Sequence, residues 1–129
     1  MNSAQKKYGM DAELLWKDRK RYLGMPLSFT RYRLIKKGDK WLKLFSDIGL
    51  LYSLVDELNI YRVQDITLHQ TLFDKIFGTG TIILYSNDER NPEFRLKHIA
   101  RPYKVREMLS NLIENERAKR NVRISEFQY

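Results

Sequence analysis

The sequence predicts a mainly β domain finished by one amphipathic helix, a curved antiparallel sheet or partly open barrel that the helix caps at one end. Three observations point there. Residues 28–48 alternate apolar and polar side chains on both sides of a Gly-Asp turn, and further β-rich segments follow at short intervals. Only after Pro102 does the apolar period lengthen to that of a helix. With 129 residues, 43% of them hydrophobic and 12% aromatic, the chain has material for one real core.

The first strand is read at SFTRYRLIK (28–36), where Thr30, Tyr32 and Leu34 alternate with Arg31 and Arg33. KGDK (37–40) supplies a turn, and WLKLFSDI (41–48) alternates again, completing a hairpin. After Gly49, LLYSLVDELNI (50–60) predicts a third strand and QDITLHQ (64–70) a fourth. In TLFDKIF (71–77), Leu72, Phe73, Ile76 and Phe77 fit one or two helical turns with a single apolar face. Gly78 then suits the left-handed conformation that stops a helical turn, and Gly80 suits a tight swing into TIILYS (81–86). This stretch reads as a structural corner between strands. NDERNP (87–92) is a polar turn before the alternating EFRLKHI (93–99). Pro102 opens a helix over 103–120 whose stripe of Val105, Met108 or Leu109, Leu112 and Ile113 must cover something.

The formal net charge is +8, unevenly spread: residues 1–48 carry +7, residues 49–100 carry −2 and residues 101–129 carry +3. Such a field suits an anionic partner. The absence of cysteine excludes disulfides, thiolate nucleophiles and Cys-based metal sites. With no apolar run of about 18 residues and no signal-peptide core at the start, the expectation is a cytoplasmic protein, in its lipid-binding reading peripheral at the inner face of the membrane.

The run IYRVQDITLHQTLFDKIFGTGTI (60–82), with DEL (56–58) upstream, resembles the signature of bacterial pleckstrin-homology-like domains, in the second bacterial subfamily, called YdbS-like. LLWKDRKRYLGMPLSFTRY (14–32) is similar to small free-standing members. The likeness spans residues 13–117, leaving 1–12 as an N-terminal extension and 118–129 as a basic C-terminal tail. It implies a strongly bent pair of antiparallel sheets with seven strands, capped by a C-terminal helix, and a noncatalytic scaffold able to self-assemble. The first hairpin departs from the family pattern: Lys40, Trp41, Leu42, Lys43 and Leu44 stand where a Thr-x-x-Arg-Leu run is usual, after a few extra residues.

Reactive constellations are lacking. His69 and His98, the two histidines, have no metal-ligating spacing, and each reads as a surface or edge residue. Asp56 and Glu57 are adjacent on a strand, so they point to opposite faces, unlike a general acid/base pair. FGTGTI lacks the spacing and the Lys-Ser/Thr of a phosphate loop. No catalytic residue, metal site or cofactor is expected. The candidate anion- or lipid-binding cluster is the basic hairpin, comprising Arg31, Arg33, Lys36, Lys37, Lys40 and Lys43, at a position similar to the phosphoinositide site of eukaryotic pleckstrin-homology domains. Trp41 reads as core ahead of interfacial anchor. WKDRKRY (16–22) and ERAKRNVR (116–123) have the composition for nonspecific nucleic-acid binding but no recognition module, which ranks that partner last among the binding modes. The leading expectation is a noncatalytic module acting through protein contact or self-association at an open strand edge, with anionic lipid at the hairpin as the alternative.

Overall fold

Alternation in residues 30–48 does what a period of two dictates: Thr30–Lys37 and Trp41–Ile48 pair antiparallel from Lys37↔Trp41 to Thr30↔Ile48, burying Tyr32, Leu34, Leu42 and Leu44 on one side. The computed structural model describes residues 2–127. In chain order it contains α1 (Ser3–Tyr8), β1 (Ala12–Arg19), β2 (Thr30–Lys37), β3 (Trp41–Ile48), β4 (Leu54–Asn59) and a 3-10 turn (Ile60–Arg62). There follow β5 (Val63–His69), α2 (Leu72–Phe77), β6 (Thr79–Ser86), β7 (Glu93–Ala100) and α3 (Pro102–Phe127). Two antiparallel sheets, ordered β1-β2-β3-β4 and β5-β6-β7, face one core, and α3 packs on β5, β6 and the 3-10 turn. Val105, Leu109 and Ile113 of α3 are buried in that core, with Met108 and Leu112 partly buried beside them.

Two strand assignments change. β1 was not read from the sequence, because Leu15 bulges out of register between Leu14 and Trp16 and shifts the alternation by one residue. The strand expected over 50–60 begins only at Leu54. Gly49 has φ 122°, and a Cβ there would lie 1.9 Å from the Tyr52 carbonyl oxygen, so the chain doubles back at 49–52 instead of extending.

The other face of the first sheet carries a smaller cluster. Ile35, Phe45 and Ala12 pack against Ala4, with Tyr8 stacked on Phe45 at 5.2 Å and edge-on to Trp41 at 5.5 Å. The N-terminal segment is thereby docked, helped by an Asn2/Gln5 capping box on α1 and by Lys37, which donates to the Tyr8 carbonyl. α3 continues without a break past residue 117.

Two of the four sheet edges are joined and a third is covered at its start. Against β1, the Arg21 N–H donates to the His98 carbonyl at 3.0 Å and the Ala100 N–H to Asp18 Oδ2 at 2.8 Å, which joins that edge to β7. Arg117 of α3 donates to the carbonyls of Val63 and Gln64, covering the start of β5. β4 is left.

Candidate docking surface

The six basic residues proposed as one anion site lie in four places. Lys36 and Lys40 sit beside Lys119 and Arg120 of α3 around a recess of about 50 Å³, where the Arg120 guanidinium lies 3.3 Å from the Tyr61 ring centroid. Lys37 pairs with Asp11 at 3.2 Å, and Lys43 with Glu57 at 3.2 Å. Arg31 and Arg33 occupy the outer face of β2, opposite Arg19 and Lys17 of β1, and with Arg21 they line a concavity of about 300 Å³. Hairpin geometry separates them: the β2–β3 turn is at one end of the strands, Arg31 is near the other.

Residues 71–79 show an inversion. Asp74 is buried at 3% side-chain exposure, whereas Leu72, Phe73, Ile76 and Phe77 of the same short helix are exposed. The single apolar face read from the spacing faces out. Local hydrogen bonding explains the orientation, since Asp74 Oδ2 accepts from the Thr71 N–H (3.0 Å) and the Thr71 hydroxyl (3.1 Å) in a capping box. Its Oδ1 accepts from the Thr79 hydroxyl at 2.7 Å and lies 2.7 Å from His98 Nδ1. Burial pushes the Asp74 pKa up, but bonds from the Thr71 N–H, His98, Thr79 and the Thr71 hydroxyl outweigh it and hold the carboxyl at about 2. A buried polar anchor under an exposed apolar helix is the reverse of an ordinary core. His98 holds φ 49°, so the backbone of this corner is also constrained. His69 is exposed on β5 and takes no part.

Gly78, at φ 69° and ψ 29°, ends α2 in the left-handed conformation. Gly80 lies inside β6, where a Cβ would come 2.9 Å from Pro102 Cβ and 3.0 Å from Leu68 Cδ1. It is a point of close approach between sheet and α3.

α2 has apolar neighbours. The β1–β2 loop exposes Tyr22, Leu23, Met25, Leu27 and Phe29, and the β3–β4 loop exposes Leu50, Leu51 (88%) and Tyr52 (86%). The Gly49 N–H donates to the Phe29 carbonyl at 3.3 Å, and a Cβ added at Gly24 would lie 3.5 Å from Phe77 Cβ, so the three segments lie side by side at one end of the domain. Sequence reading missed this rim; its signal was the density of Leu, Phe and Tyr in segments otherwise read as loop or corner. Around it stand Lys20, Lys75, Arg101 and Lys104, none of which has a carboxylate within 4.0 Å among the described residues. Of the acids near this end, Asp18 and Asp74 are turned inward and consumed by hydrogen bonds, and Asp47 stands opposite Arg31 in the first sheet. An apolar rim in a positive field results.

No group of three or more metal-ligating side chains occurs among the described residues, and no helix there is long and apolar enough to cross a membrane. Glu57 shares the outer face with Lys43 and Phe45 while Asp56 belongs to the opposite face, so the two carboxylates do not converge. Comparison with curated proteins and with solved structures gave no match. The sequence pattern of the bacterial PH domain family matches residues 25–113, which takes in β2 to β7 and the first half of α3, and the chain therefore belongs to that family.

Proposed function

We propose that this chain is a noncatalytic docking module that attaches peripherally to an anionic bilayer through the rim formed by the β1–β2 loop, the β3–β4 loop and α2. The observation that carries the reading is the inverted α2 set beside two apolar loops in a field of unpaired cations. Exposures of 88 and 86% at Leu51 and Tyr52 mark protruding tips, not walls of a groove. Tips on three separate segments suit a fluid interface, which deforms around each of them, whereas a folded protein would need a matching socket for every one. The surrounding Lys and Arg supply attraction to lipid phosphates of about 1 kcal/mol each. Repulsion between two copies of a +8 chain at this positive end disfavours self-association there.

The test is co-sedimentation with phosphatidylcholine vesicles with and without phosphatidylglycerol. Binding is expected only to the anionic vesicles. Lys75→Glu with Lys104→Glu should weaken it strongly, while Lys36→Glu with Lys40→Glu, at the opposite end of the strands, should leave it nearly intact. The reverse order of sensitivity would move the contact to the β2–β3 turn, and no binding by the wild type would remove the membrane reading.

A further inference from the structure

β4 is an open edge, and it is built to accept a strand. Residues 54–57 are all exposed, and among the described residues a single hydrogen bond reaches the outer edge, from Asn91 Nδ2 to the Glu57 carbonyl at 3.2 Å. That bond fixes the polarity of the edge. In an antiparallel ladder a residue turns its N–H and C=O to the same side and its neighbours turn theirs to the other, so Glu57 and Val55 present their backbone groups outward while Asp56 and Leu58 bond β3. Asn91 belongs to the β6–β7 turn, which is braced by bonds from the Ser86 N–H to the Pro92 carbonyl and from the Asn87 N–H to the Arg62 carbonyl, both near 3 Å. That turn forms the far wall of a groove of about 490 Å³ running along β4.

The groove is acidic on a basic protein. Asp56, Glu57 and Asp88 line it with Arg90, and Lys43 pairs with Glu57 at 3.2 Å from the outer face, so Asp56 and Asp88 carry its acidity. A second copy of β4 would bring Asp56 and Glu57 against the same two carboxylates, which is repulsive. We infer that β4 captures an extended, Lys/Arg-bearing segment of another protein as a fifth strand of the first sheet. The incoming backbone displaces the Asn91 amide, which occupies the place of a partner N–H on the Glu57 carbonyl, and its basic side chains face Asp56 and Asp88. The edge follows directly on the β3–β4 loop but uses the outward backbone groups of Val55 and Glu57, not the loop tips.

The probe is a capped, fluorescently labelled peptide of alternating Lys and Val, followed by anisotropy, with an alternating Glu-Val peptide as the charge control. The Lys-Val peptide should bind and the Glu-Val peptide should not. Val55→Pro removes an outward N–H and should weaken binding by about tenfold or more with a near-native melting temperature, because an edge strand tolerates proline on its free side. Asp56→Pro should instead unfold the sheet by breaking the β3 ladder. If Val55→Pro does not fold, Asp56→Lys decides the matter, since its exposed side chain should lower affinity several-fold with the backbone untouched. Equal binding of both peptides, unchanged affinity in folded Val55→Pro or in Asp56→Lys, or dimerisation of the wild type that Val55→Pro abolishes would each overturn the inference, the last in favour of a second copy.

Discussion

Replacing Leu51 with Ser isolates the apolar part of membrane docking from both charge and folding. The side chain is 88% exposed at the tip of the β3–β4 loop and contributes nothing to either buried cluster. Burying a leucine fully is worth roughly 1.5–3 kcal/mol, so immersion of most of this side chain in the interfacial layer stabilises the docked state by about 2 kcal/mol. Leu51→Ser should then lower the partition coefficient on phosphatidylglycerol-containing vesicles by roughly 30-fold. Adding Leu50→Ser, at a site 69% exposed, should take the effect beyond about 100-fold. Co-sedimentation across a lipid titration reads the partition, and thermal melting of the same samples serves as the control, expected to stay at the wild-type value. Salt separates the components further: at about 0.15 M the Debye length is near 8 Å, which screens the attraction of Lys75 and Lys104 and leaves the leucine contribution in place. A folded Leu51→Ser protein that partitions like the wild type would refute the rim as the contact surface.

Asp74 makes a pH prediction. Its folded pKa of about 2 lies below the ordinary aspartate value of 3.8, so the ionised carboxylate stabilises the fold above about pH 4, and that contribution of about 2 kcal/mol is lost as pH falls towards 2. Melting of Asp74→Asn should accordingly be flatter than wild type over that window; parallel curves would mean that the network does not hold α2. Gly78→Val, at φ 69°, should cost about 1 kcal/mol or more from backbone strain alone, with no neighbour within 4 Å of the added carbon. Gly80→Val should cost about 1–3 kcal/mol by steric conflict with Pro102, and chemical denaturation that finds either variant as stable as wild type would contradict the corresponding account. Leu109→Ala, at 0% exposure in the core under α3, should cost about 2–5 kcal/mol in the same assay, and a loss below about 1 kcal/mol would show that α3 is not a cap.

What the sequence determined by itself was local. Alternation at Thr30, Tyr32 and Leu34 placed β2, its continuation past Gly38 placed β3, and Val105, Leu109 and Ile113 recurring at helical spacing placed the buried stripe of α3. These signals survive because each depends on neighbours within one or two turns of chain. The bulge at Leu15 hid β1, since one extra residue reverses the phase of every side chain after it. Tertiary structure decided the rest. The charged hairpin looked like one site in the sequence, but strand direction sends Arg31 to one end and Lys40 to the other, and Lys37 and Lys43 are taken up by Asp11 and Glu57. Which side of residues 72–77 faces the core was settled by His98 and Thr79, which hold Asp74 from two other strands. An open strand edge was an expectation without a place; the bonds of Asp18 and His98 join β1 to β7, and the exposure of residues 54–57 marks β4 as open. Burial and edge exposure are properties of the whole packed chain, so periodicity in sequence assigns a face to each element without saying what that face meets.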